Sequence, residues 1–464
     1  MHPSIFISLA WSLFIFFFSC SQPKPGQWVN WVLTKADSSV VFQDQSPISL
    51  QPYSNSSDLI QLDTAFLRQE IEGFGFTLTE ASAYLIQQLP ADKKSDLLNE
   101  LFAPDGPGIH ISYLRIGIGA TDLSREIYSY ADSPEDTSLT YFNFSTDSVY
   151  LIPLIKEILQ IHPGLKIMAT PWSAPAWMKD NKKTMGGHLA RKYYPFYAEY
   201  LLTYIRHMHL SGIPIYALTP QNEPLHGGNN PSMEMSAEEQ SDFIKNHLGP
   251  VFKKSGISTK LIIYDHNADH PEYPLSILAD SAANVYIDGT AFHLYNGDIS
   301  VLSGIHDRFP DKSLYFTEQW TGAKGQFGGD LIWHIKNIII GSMRNWSKIA
   351  LEWNLANDPD YAMHTPGGCT ECKGALTISG KDINKNVSYY IIAHISKFVP
   401  AGSRVLFTQS DSSLLHIGFI TPSDRKVLLV CNESDTEIKA NAGDVSGKIS
   451  FTMPPKSVAS FIWP

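Results

Sequence analysis

The segment PIYALTPQNEP, from Pro214 to Pro224, joins a short run typical of a β-strand to a polar turn that carries a carboxylate. Two stretches with helical patterns flank it. In Tyr193–Leu210 apolar residues recur at helical spacing, and Ser236–Leu248 begins with Ser-Ala-Glu-Glu, which is typical of a capped helix start. The order helix, strand, helix predicts one repeat of an α/β fold.

The same alternation runs along the chain from about residue 70 to residue 354. Its β-rich runs are Gln69–Phe76, Ser112–Gly117, Lys166–Thr170, Pro214–Thr219, Lys260–Tyr264, Val285–Phe292, Ser313–Phe316 and Lys348–Trp353. Amphipathic stretches such as Leu331–Ser342 separate them. Because no glycine-rich phosphate-binding loop follows the first run, a dinucleotide-binding sheet is disfavoured. Eight repeats of this length predict a closed (β/α)₈ TIM barrel over residues 69–394.

The two ends of the chain have a different pattern. Residues 28–68 and 395–464 contain period-two runs separated by Ser, Asn, Asp, Gly and Pro, for example Ser413–Ile420, Lys426–Cys431 and Ser457–Ile462. Such runs without helical stretches predict a β-sandwich. Since one segment precedes the barrel and the other follows it, we expect both ends to form one sandwich attached to the barrel.

The N-terminus predicts export. Ile5–Phe18 is almost entirely apolar and about 14 residues long, which is short for a membrane-spanning helix and right for a signal-peptide core. It ends in Phe-Phe-Ser-Cys20, which resembles a bacterial lipobox. We therefore expect residues 1–20 to be a signal peptide ending at a lipidated Cys20, which makes the protein a periplasmic or cell-surface lipoprotein of a bacterium. A cleaved signal without lipid, or an uncleaved anchor, remains an alternative, because His2 is the only candidate positive side chain before the apolar run.

Composition limits the ligands. A formal net charge of −11 argues against nucleic acid as a partner. Cys369 and Cys372 form a lone C-x-x-C, with no second pair of cysteines or histidines at zinc spacing. In an exported protein a local disulfide or a pair of structural thiols is the better interpretation. We expect neither a metal ion nor a cofactor.

Two glutamates follow predicted strands of the barrel. Glu223 stands in TPQNEP after the fourth strand, and Glu318 stands in YFTEQW after the seventh. The carboxyl ends of barrel strands share one face, where catalytic groups lie. Hydrolysis of a glycoside needs two carboxyl groups, one to protonate the departing oxygen and one to attack the anomeric carbon or to activate water. A single glutamate after a strand is commonly a surface residue, but this pair predicts a glycosidase with Glu223 as general acid/base and Glu318 as nucleophile.

Further motifs occur in order over about 300 residues. They are Gly73-Phe74-Gly75 with Thr79-Glu80, Leu114-Arg115-Ile116, TPWSAPAWMK from Thr170 to Lys179, Asn222-Glu223-Pro224, His293-Leu294-Tyr295, Thr317-Glu318, and EWNL from Glu352 to Leu355. With this set the sequence resembles glycoside hydrolase family 30, the family of glucosylceramidases. The resemblance implies a barrel, a β-sandwich from both chain ends, and a retaining mechanism.

The resemblance also implies a set of sugar contacts. Asn222 would bind the 2-hydroxyl, Trp172 and Glu80 would contact the 4- and 6-hydroxyls, and Trp353 would close the glycone pocket. The two tryptophans have a structural alternative as core aromatics.

Three further residues would support the catalytic pair in such an enzyme. His293 and Tyr295 would flank the nucleophile, and Arg115 would hold the charge of the carboxylates in place. A structural histidine and a structural ion pair are the alternatives for His293 and Arg115. We also expect the negative charge of Glu318, together with burial, to raise the pKa of Glu223, so that Glu223 starts protonated.

The substrate expected from these motifs is a β-glucoside. The prediction is a glucosylceramidase-like β-glucosidase, with an endo- or exo-β-1,6-glucanase of the same family as the alternative. A different class, a non-catalytic surface glycan-binding lipoprotein, would typically have lost a catalytic carboxylate, and both are present.

Overall fold

The computed structural model describes residues 27–54 and 59–463. The predicted signal peptide and Cys20 therefore lie outside the described residues. Within the described ranges, no helix combines the length and the apolar character needed to cross a bilayer.

Eight parallel strands close into the predicted barrel. In chain order they are β1 (Gly73–Thr77), β2 (Tyr113–Gly117), β3 (Lys166–Thr170), β4 (Ala217–Leu218), β5 (Lys260–Ala268), β6 (Gly289–Gly297), β7 (Ser313–Glu318) and β8 (Ser347–Asn354). Each strand pairs with the next, and β8 pairs with β1 to close the ring. All eight predicted strands are therefore confirmed, although β4 is shorter than expected and β5 and β6 extend further towards the mouth.

Helices connect the strands on the outside. The α-helices are Glu80–Gln87, Ala91–Phe102, Leu151–Ile161, Tyr194–Leu210, Ala237–Phe243, Gly249–Ser255, Glu272–Ala279, Ser281–Asn284, Val301–Arg308, Phe327–His334, Ser342–Arg344 and Val387–Ser396, with π-helical turns at Ile244–Leu248 and Ile335–Gly341 and 3₁₀ turns at Ala176–Met178 and Arg191–Tyr193. The predicted capped start is confirmed: the Ser236 hydroxyl accepts from the backbone N–H of Glu239, whose carboxylate accepts from the Ser236 N–H.

Side chains fill the inside of the barrel. They are Tyr113, Met168, Ala217, Ile262, Ala291, Tyr315, Ile349 and Leu351. Because this packed layer closes the centre, the barrel interior is a core and not a channel. Two small sheets lie in the loops at the carboxyl end of the barrel. In the first, Thr321–Gly322 pairs with Cys372–Lys373. The second consists of Ala356–Asn357, Leu376–Ser379 and Asp382–Lys385.

Both chain ends contribute to one ten-stranded sheet. Its strands are Trp28–Lys35, Gln43–Asp44, Ile48–Ser49, Leu59–Glu70, Arg404–Gln409, Leu415–Ile420, Lys426–Asn432, Ile438–Asp444, Gly447–Met453 and Ser457–Ile462. The N-terminal strand Trp28–Lys35 pairs with the C-terminal strand Ser457–Ile462, and Leu59–Glu70 pairs with Arg404–Gln409. The sandwich built from both ends is therefore confirmed.

Two elements cross the residues at which the sequence placed the domain boundaries. The strand Leu59–Glu70 belongs to the sandwich and runs past residue 68, and the helix Val387–Ser396 runs past residue 394. On that helix, fully buried His394 is hydrogen-bonded to Thr34 and Ser460 of the sandwich. Each predicted boundary therefore falls inside a strand or a helix.

Candidate active site

A cavity of about 300 Å³ opens at the carboxyl end of the barrel. It is lined by Asp122, Trp172, Asn222, Glu223, His226, Asn229, His266, Asn267, Tyr295, Glu318, Trp320, Trp353, Cys369 and Cys372. Six of the nine barrel residues predicted from the sequence are in this lining. Arg115 and His293 are fully buried and hydrogen-bonded to lining residues, whereas Glu80 is placed elsewhere.

Glu223 and Glu318 face each other across this cavity. Both are almost fully buried, with 8% and 5% of their surfaces exposed, and one carboxylate oxygen of each lies within 4.8 Å of the other. Retaining glycosidases hold their two carboxyl groups about 5–5.5 Å apart, whereas inverting enzymes need about 6.5–9.5 Å for a water molecule. The separation therefore fits a nucleophile and an acid/base rather than a water-activating pair.

The backbone fixes both glutamates. Glu318 is the last residue of β7. Glu223 follows β4 with a φ of 44°, in the left-handed region that a side chain disfavours, and its N–H donates to the carbonyl of Asp265 at 3.0 Å. Such a conformation costs about 1–3 kcal/mol and persists only where surrounding contacts enforce it. The strain at Glu223 thus marks a position held for the direction of its side chain.

Arg115 on β2 joins the two motifs. Its Nη1 donates to Glu318 Oε2 at 2.6 Å, and its Nη2 donates to Asn222 Oδ1 at 2.6 Å and to Asp265 Oδ2 at 2.9 Å. The guanidinium also lies 4.8 Å from the centre of the Trp172 ring, within the range of a cation–π contact. The geometry therefore matches the predicted support of the carboxylates by Arg115.

Asp265 is a functional residue that the sequence reasoning missed. It is fully buried on β5 and accepts hydrogen bonds from the hydroxyls of Thr219 at 2.7 Å and Thr317 at 2.6 Å, in addition to Arg115. Burial alone would raise the pKa of Asp265, but Arg115 and the hydrogen bonds hold it well below its ordinary value. Asp265 is therefore a permanent negative charge beneath the catalytic pair. The signal that could have found it is the polar triplet Asp-His-Asn at the end of a β-rich run.

His293 bridges this buried charge and the acid/base. Its Nδ1 lies 3.1 Å from Glu223 Oε1, and its Nε2 lies 3.2 Å from Asp265 Oδ1. Burial by itself would lower the pKa of His293, but the surrounding carboxylates raise it to about 9. At neutral pH the ring is therefore a cation that donates from both nitrogens, and it contacts the acid/base more closely than Glu318, which lies 3.7 Å away. Tyr295, in contrast, flanks the nucleophile as predicted, donating to Glu318 Oε1 at 2.9 Å.

The positive charge of His293 changes the titration of the catalytic pair. Burial alone would raise the pKa of Glu223, but the hydrogen bond and charge of His293 lower it in the free protein, whereas burial raises the pKa of Glu318. The expectation that Glu318 would raise the pKa of Glu223 is therefore wrong for the free protein, because it left out the imidazolium. Arg115 and His293 together supply two positive charges. A catalytic pair that shares one proton carries one negative charge, which with that of Asp265 would balance the two cations.

Spacing alone would allow a metal ion between Glu223, His293 and Glu318, since one ligand atom from each lies within 4.8 Å of the others. The surrounding carboxylates raise the pKa of His293 to about 9, so a metal ion here would have to displace a proton from the ring.

Two tryptophans, Trp172 and Trp353, form one wall of the cavity. Trp172 and Trp353 stack with ring centres 5.3 Å apart, and each exposes no more than 3% of its surface. Leu123 and Cys372 pack against the same pair. The two rings are thus core aromatics and cavity lining at once, so the two interpretations of the sequence are not exclusive.

Glu80 does not line the cavity. Its Oε1 accepts from Arg125 Nε at 2.9 Å and Nη2 at 2.6 Å, and its Oε2 accepts from the Arg125 N–H at 3.0 Å. The predicted sugar contact at Glu80 is therefore corrected, because this ion pair occupies the carboxylate.

Asp122 lines the cavity instead. It is 5% exposed, and its Oδ1 is buried and has no hydrogen-bond partner within the described ranges. Burial raises the pKa of Asp122 to about 7, with contributions from the charges of Glu318 and Glu223.

A disulfide completes the wall beside Asp122. Cys369 and Cys372 are bonded to each other, which decides between the two interpretations of the C-x-x-C, and both line the cavity. The loop that contains them is tied to the barrel, since the Thr365 N–H donates to the carbonyl of Asp122 at 3.0 Å and Cys372 pairs with Gly322. The bridge is therefore part of the cavity surface.

Comparison with known proteins identifies the family. Residues 71–399 match the glycosyl hydrolase family 30 TIM-barrel domain, and residues 402–461 match the glycosyl hydrolase family 30 beta sandwich domain. The chain belongs to glycoside hydrolase family 30. This family 30 chain is a glycosidase, as the paired carboxylates predicted.

Three similar proteins illustrate the range of the family. The chain is 31% identical to the endo-1,6-beta-D-glucanase BGN16.3 of Trichoderma harzianum, over 86% of this chain and 84% of that protein. It is 30% identical to the putative glucosylceramidase 1 of Caenorhabditis elegans, over 86% of this chain and 82% of that protein. The solved structure of the endo-beta1,6-glucanase BT3312 is 32% identical, with a TM-score of 0.86 over 94% of this chain and 99% of that one.

We predict that Glu223→Ala and Glu318→Gln will differ in how they lose activity. Glu223→Ala should retain activity on aryl glucosides with good leaving groups, which need no proton, and azide should rescue it by forming a β-glucosyl azide. Glu318→Gln should lose activity on every substrate, since no other group can form the glycosyl ester. Product analysis by NMR checks the configuration, and an α-glucosyl azide from Glu223→Ala would contradict the retaining mechanism.

We also predict that the disulfide shapes the sugar pocket. In Cys369→Ser/Cys372→Ser, the KM for nitrophenyl β-glucoside should rise at least about fivefold while kcat changes less than about threefold, because a loosened wall weakens binding but not the separately held carboxylates. Dithiothreitol should do the same to the wild type and nothing further to the double variant, which keeps the buried Cys431 as an internal control. An unchanged KM in both experiments would show that the bridge does not shape the pocket.

Proposed function

We propose that the protein is a retaining β-glucosidase of the β-1,6-glucanase type, with Glu223 as acid/base and Glu318 as nucleophile. The observation that carries the choice of substrate is the set of polar side chains among the exposed and half-buried residues that line the cavity. His226, Asn229, Asn267 and Tyr295 belong to this set. Among the exposed large apolar side chains of the described residues, Tyr295 alone is in the cavity lining, together with the half-buried Trp320.

This surface suits a sugar leaving group. Ceramide carries two long alkyl chains, and each methylene removed from water contributes about 0.8 kcal/mol, so a ceramide site needs an apolar face. Hydroxyl groups instead need donors and acceptors, which histidine and asparagine supply. The relatives named endo-1,6-beta-D-glucanase support the same choice. Glucosylceramide is the second candidate, supported by the relative named as a putative glucosylceramidase.

The reaction follows from the geometry. A β-glucoside in the cavity places its glycosidic oxygen at Glu223 and its anomeric carbon at Glu318. Glu318 attacks the carbon to form a glycosyl ester, while Glu223, protonated once the substrate is bound, gives its proton to the departing oxygen. Arg115 and Tyr295 both donate to Glu318 and so stabilise its ionised form before the attack.

The second half of the reaction uses the same groups. With the leaving group gone, Glu223 is ionised beside the His293 cation and removes a proton from water. The water attacks the ester carbon and releases the sugar with its configuration retained. His293 remains charged throughout, which keeps the network near neutrality as the proton moves.

The N-terminus extends the proposal to the location of the enzyme. We infer that it is exported from a bacterial cell and attached to a membrane through lipid on Cys20, with the glucan reached outside the cytoplasm. The apolar run Ile5–Phe18 and the lipobox-like Phe-Phe-Ser-Cys20 support this.

We expect the purified enzyme to hydrolyse pustulan, a β-1,6-glucan, with a kcat/KM at least about tenfold above that for detergent-solubilised glucosylceramide, because the histidine and asparagine side chains of the lining offer hydrogen-bond partners to the hydroxyls of a sugar leaving group. Reducing-sugar release measures the first activity, and chromatography of released ceramide measures the second. The Glu318→Gln variant is the blank for contaminating activities. A preference for glucosylceramide would refute the glucanase proposal and support the second candidate.

For the anchor, Cys20→Ser should abolish lipid attachment and release the protein from the membrane fraction, since the apolar run before it is too short to span stably. Labelling with radioactive palmitate in the bacterial host, followed by fractionation, measures both effects. Cys431→Ser is the control and should keep its label. Equal labelling and fractionation of Cys20→Ser and wild type would reject lipidation at Cys20.

A further inference from the structure

His266 is a buried polar side chain that the catalytic network does not use. It lies on β5 directly after Asp265, exposes 5% of its surface and lines the cavity. Its Nδ1 is buried and has no hydrogen-bond partner in residues 27–54 and 59–463. A buried polar group without a partner destabilises the fold, so its presence calls for an explanation.

The ring is neutral under ordinary conditions. Burial lowers the pKa of His266 to about 4, although the charge of Glu223 opposes this shift. A neutral imidazole offers one N–H donor and one nitrogen acceptor. It is therefore suited to a hydroxyl group, which can both accept and donate, and poorly suited to a second charge.

A bulge in β5 turns this ring inward. Ala291 of β6 pairs with Tyr264, whereas the next residue of β6, Phe292, pairs with His266, so Asp265 is an extra residue in β5. Tyr264 and Asp265 both have positive φ values, of 74° and 62°. Adjacent strand residues normally face opposite sides, but a bulge breaks this alternation and commonly lies beside an active site. It lets Asp265 reach the network while His266 lines the cavity.

The position of His266 relates it to the leaving group. The tryptophan wall and Asp122 come from β3, β8 and the loop after β2, on one side of the cavity. Glu223 follows β4, and β5 is its neighbour in the barrel. Because Glu223 protonates the departing oxygen, the departing group must lie on its side of the scissile bond. His266 is next to that side. Its ring is nearly perpendicular to the Tyr264 ring, at an angle of 88°, with the two ring centres 5.8 Å apart.

We propose that His266 is a specificity-determining residue that hydrogen-bonds a hydroxyl of the sugar leaving group. This inference rests on the proposed function, since it requires a leaving group with hydroxyls. His266 takes no part in proton transfer, because His293 already bridges Glu223 and Asp265. It acts on the choice of aglycone, and an aryl leaving group without hydroxyls makes no use of it.

The test compares two substrates in His266→Ala and His266→Gln. For the β-1,6-linked disaccharide of glucose, kcat/KM should fall at least about tenfold in His266→Ala, because a hydroxyl of the leaving group loses its hydrogen-bond partner. For 2,4-dinitrophenyl β-glucoside, which has the same glycone and an aryl leaving group, it should change less than about threefold. His266→Gln, which keeps a donor and an acceptor, should recover at least half of the loss on a logarithmic scale.

His270→Ala is the matched control. His270 lies four residues further along, is exposed and pairs with Glu272 outside the cavity lining, so its removal should leave both substrates unaffected. Equal losses of His266→Ala on both substrates would overturn the proposal, since His266 would then act on the glycone or on Glu223. If the thermal unfolding curve shows that His266→Ala does not fold, His266→Gln decides alone: a loss of kcat/KM confined to the disaccharide supports the proposal. Retention on both substrates, an equal loss on both or a loss confined to the aryl glucoside refutes it.

The outcome separates this inference from the proposed function. A wild type that cleaves β-1,6-glucan, together with His266 variants that do not discriminate between the two leaving groups, refutes the role of His266 alone. A wild type that cleaves glucosylceramide but no oligosaccharide refutes the proposed function, and the role of His266 falls with it.

Discussion

The site depends on one buried ionic network, in which Arg115 and His293 are held against Asp265 and the two catalytic glutamates. Moving any of these charges out of water costs several kcal/mol, and only close pairing offsets that cost. Each charge therefore constrains the others. Arg115 fixes Glu318 and Asn222, Asp265 fixes Arg115 and His293, and His293 fixes Glu223. Removing any one member would leave a buried charge unpaired and would disturb chemistry and stability together.

The barrel makes this network possible. Its members come from β2, β5, β6, β7 and the turn after β4, which are far apart in sequence and adjacent at one end of a closed sheet. Below them the barrel interior is packed with apolar side chains, which excludes water from that side. The irregularities of the backbone are concentrated here as well, at the left-handed Glu223 and at the bulge around Asp265. Regular elements thus provide rigidity, and strained positions direct individual side chains.

The cavity has two unlike sides, and this asymmetry matches the division of a glycoside into a retained sugar and a leaving group. One side is rigid, made of stacked tryptophans, a buried carboxyl group and a disulfide. The other includes exposed and half-buried histidine and asparagine side chains together with Trp320. Under the proposed function the buried network carries out the chemistry, and the second side contacts the leaving group.

The sequence by itself determined the architecture and the catalytic pair, because both are written in local patterns. Period-two and helical runs reveal strands and helices, and a carboxylate directly after a strand lies at the mouth of a barrel wherever the chain leads next. Tertiary structure alone decided the partners of each polar group. Glu80 was expected at the sugar but is paired with Arg125, Asp122 takes its place, and His293 reverses the expected effect on Glu223. The positions of Asp265 and His266 at the site depend on the bulge in β5, which the sequence did not predict. Ion pairing and pKa shifts depend on distances between residues remote in sequence, and no local pattern encodes those distances.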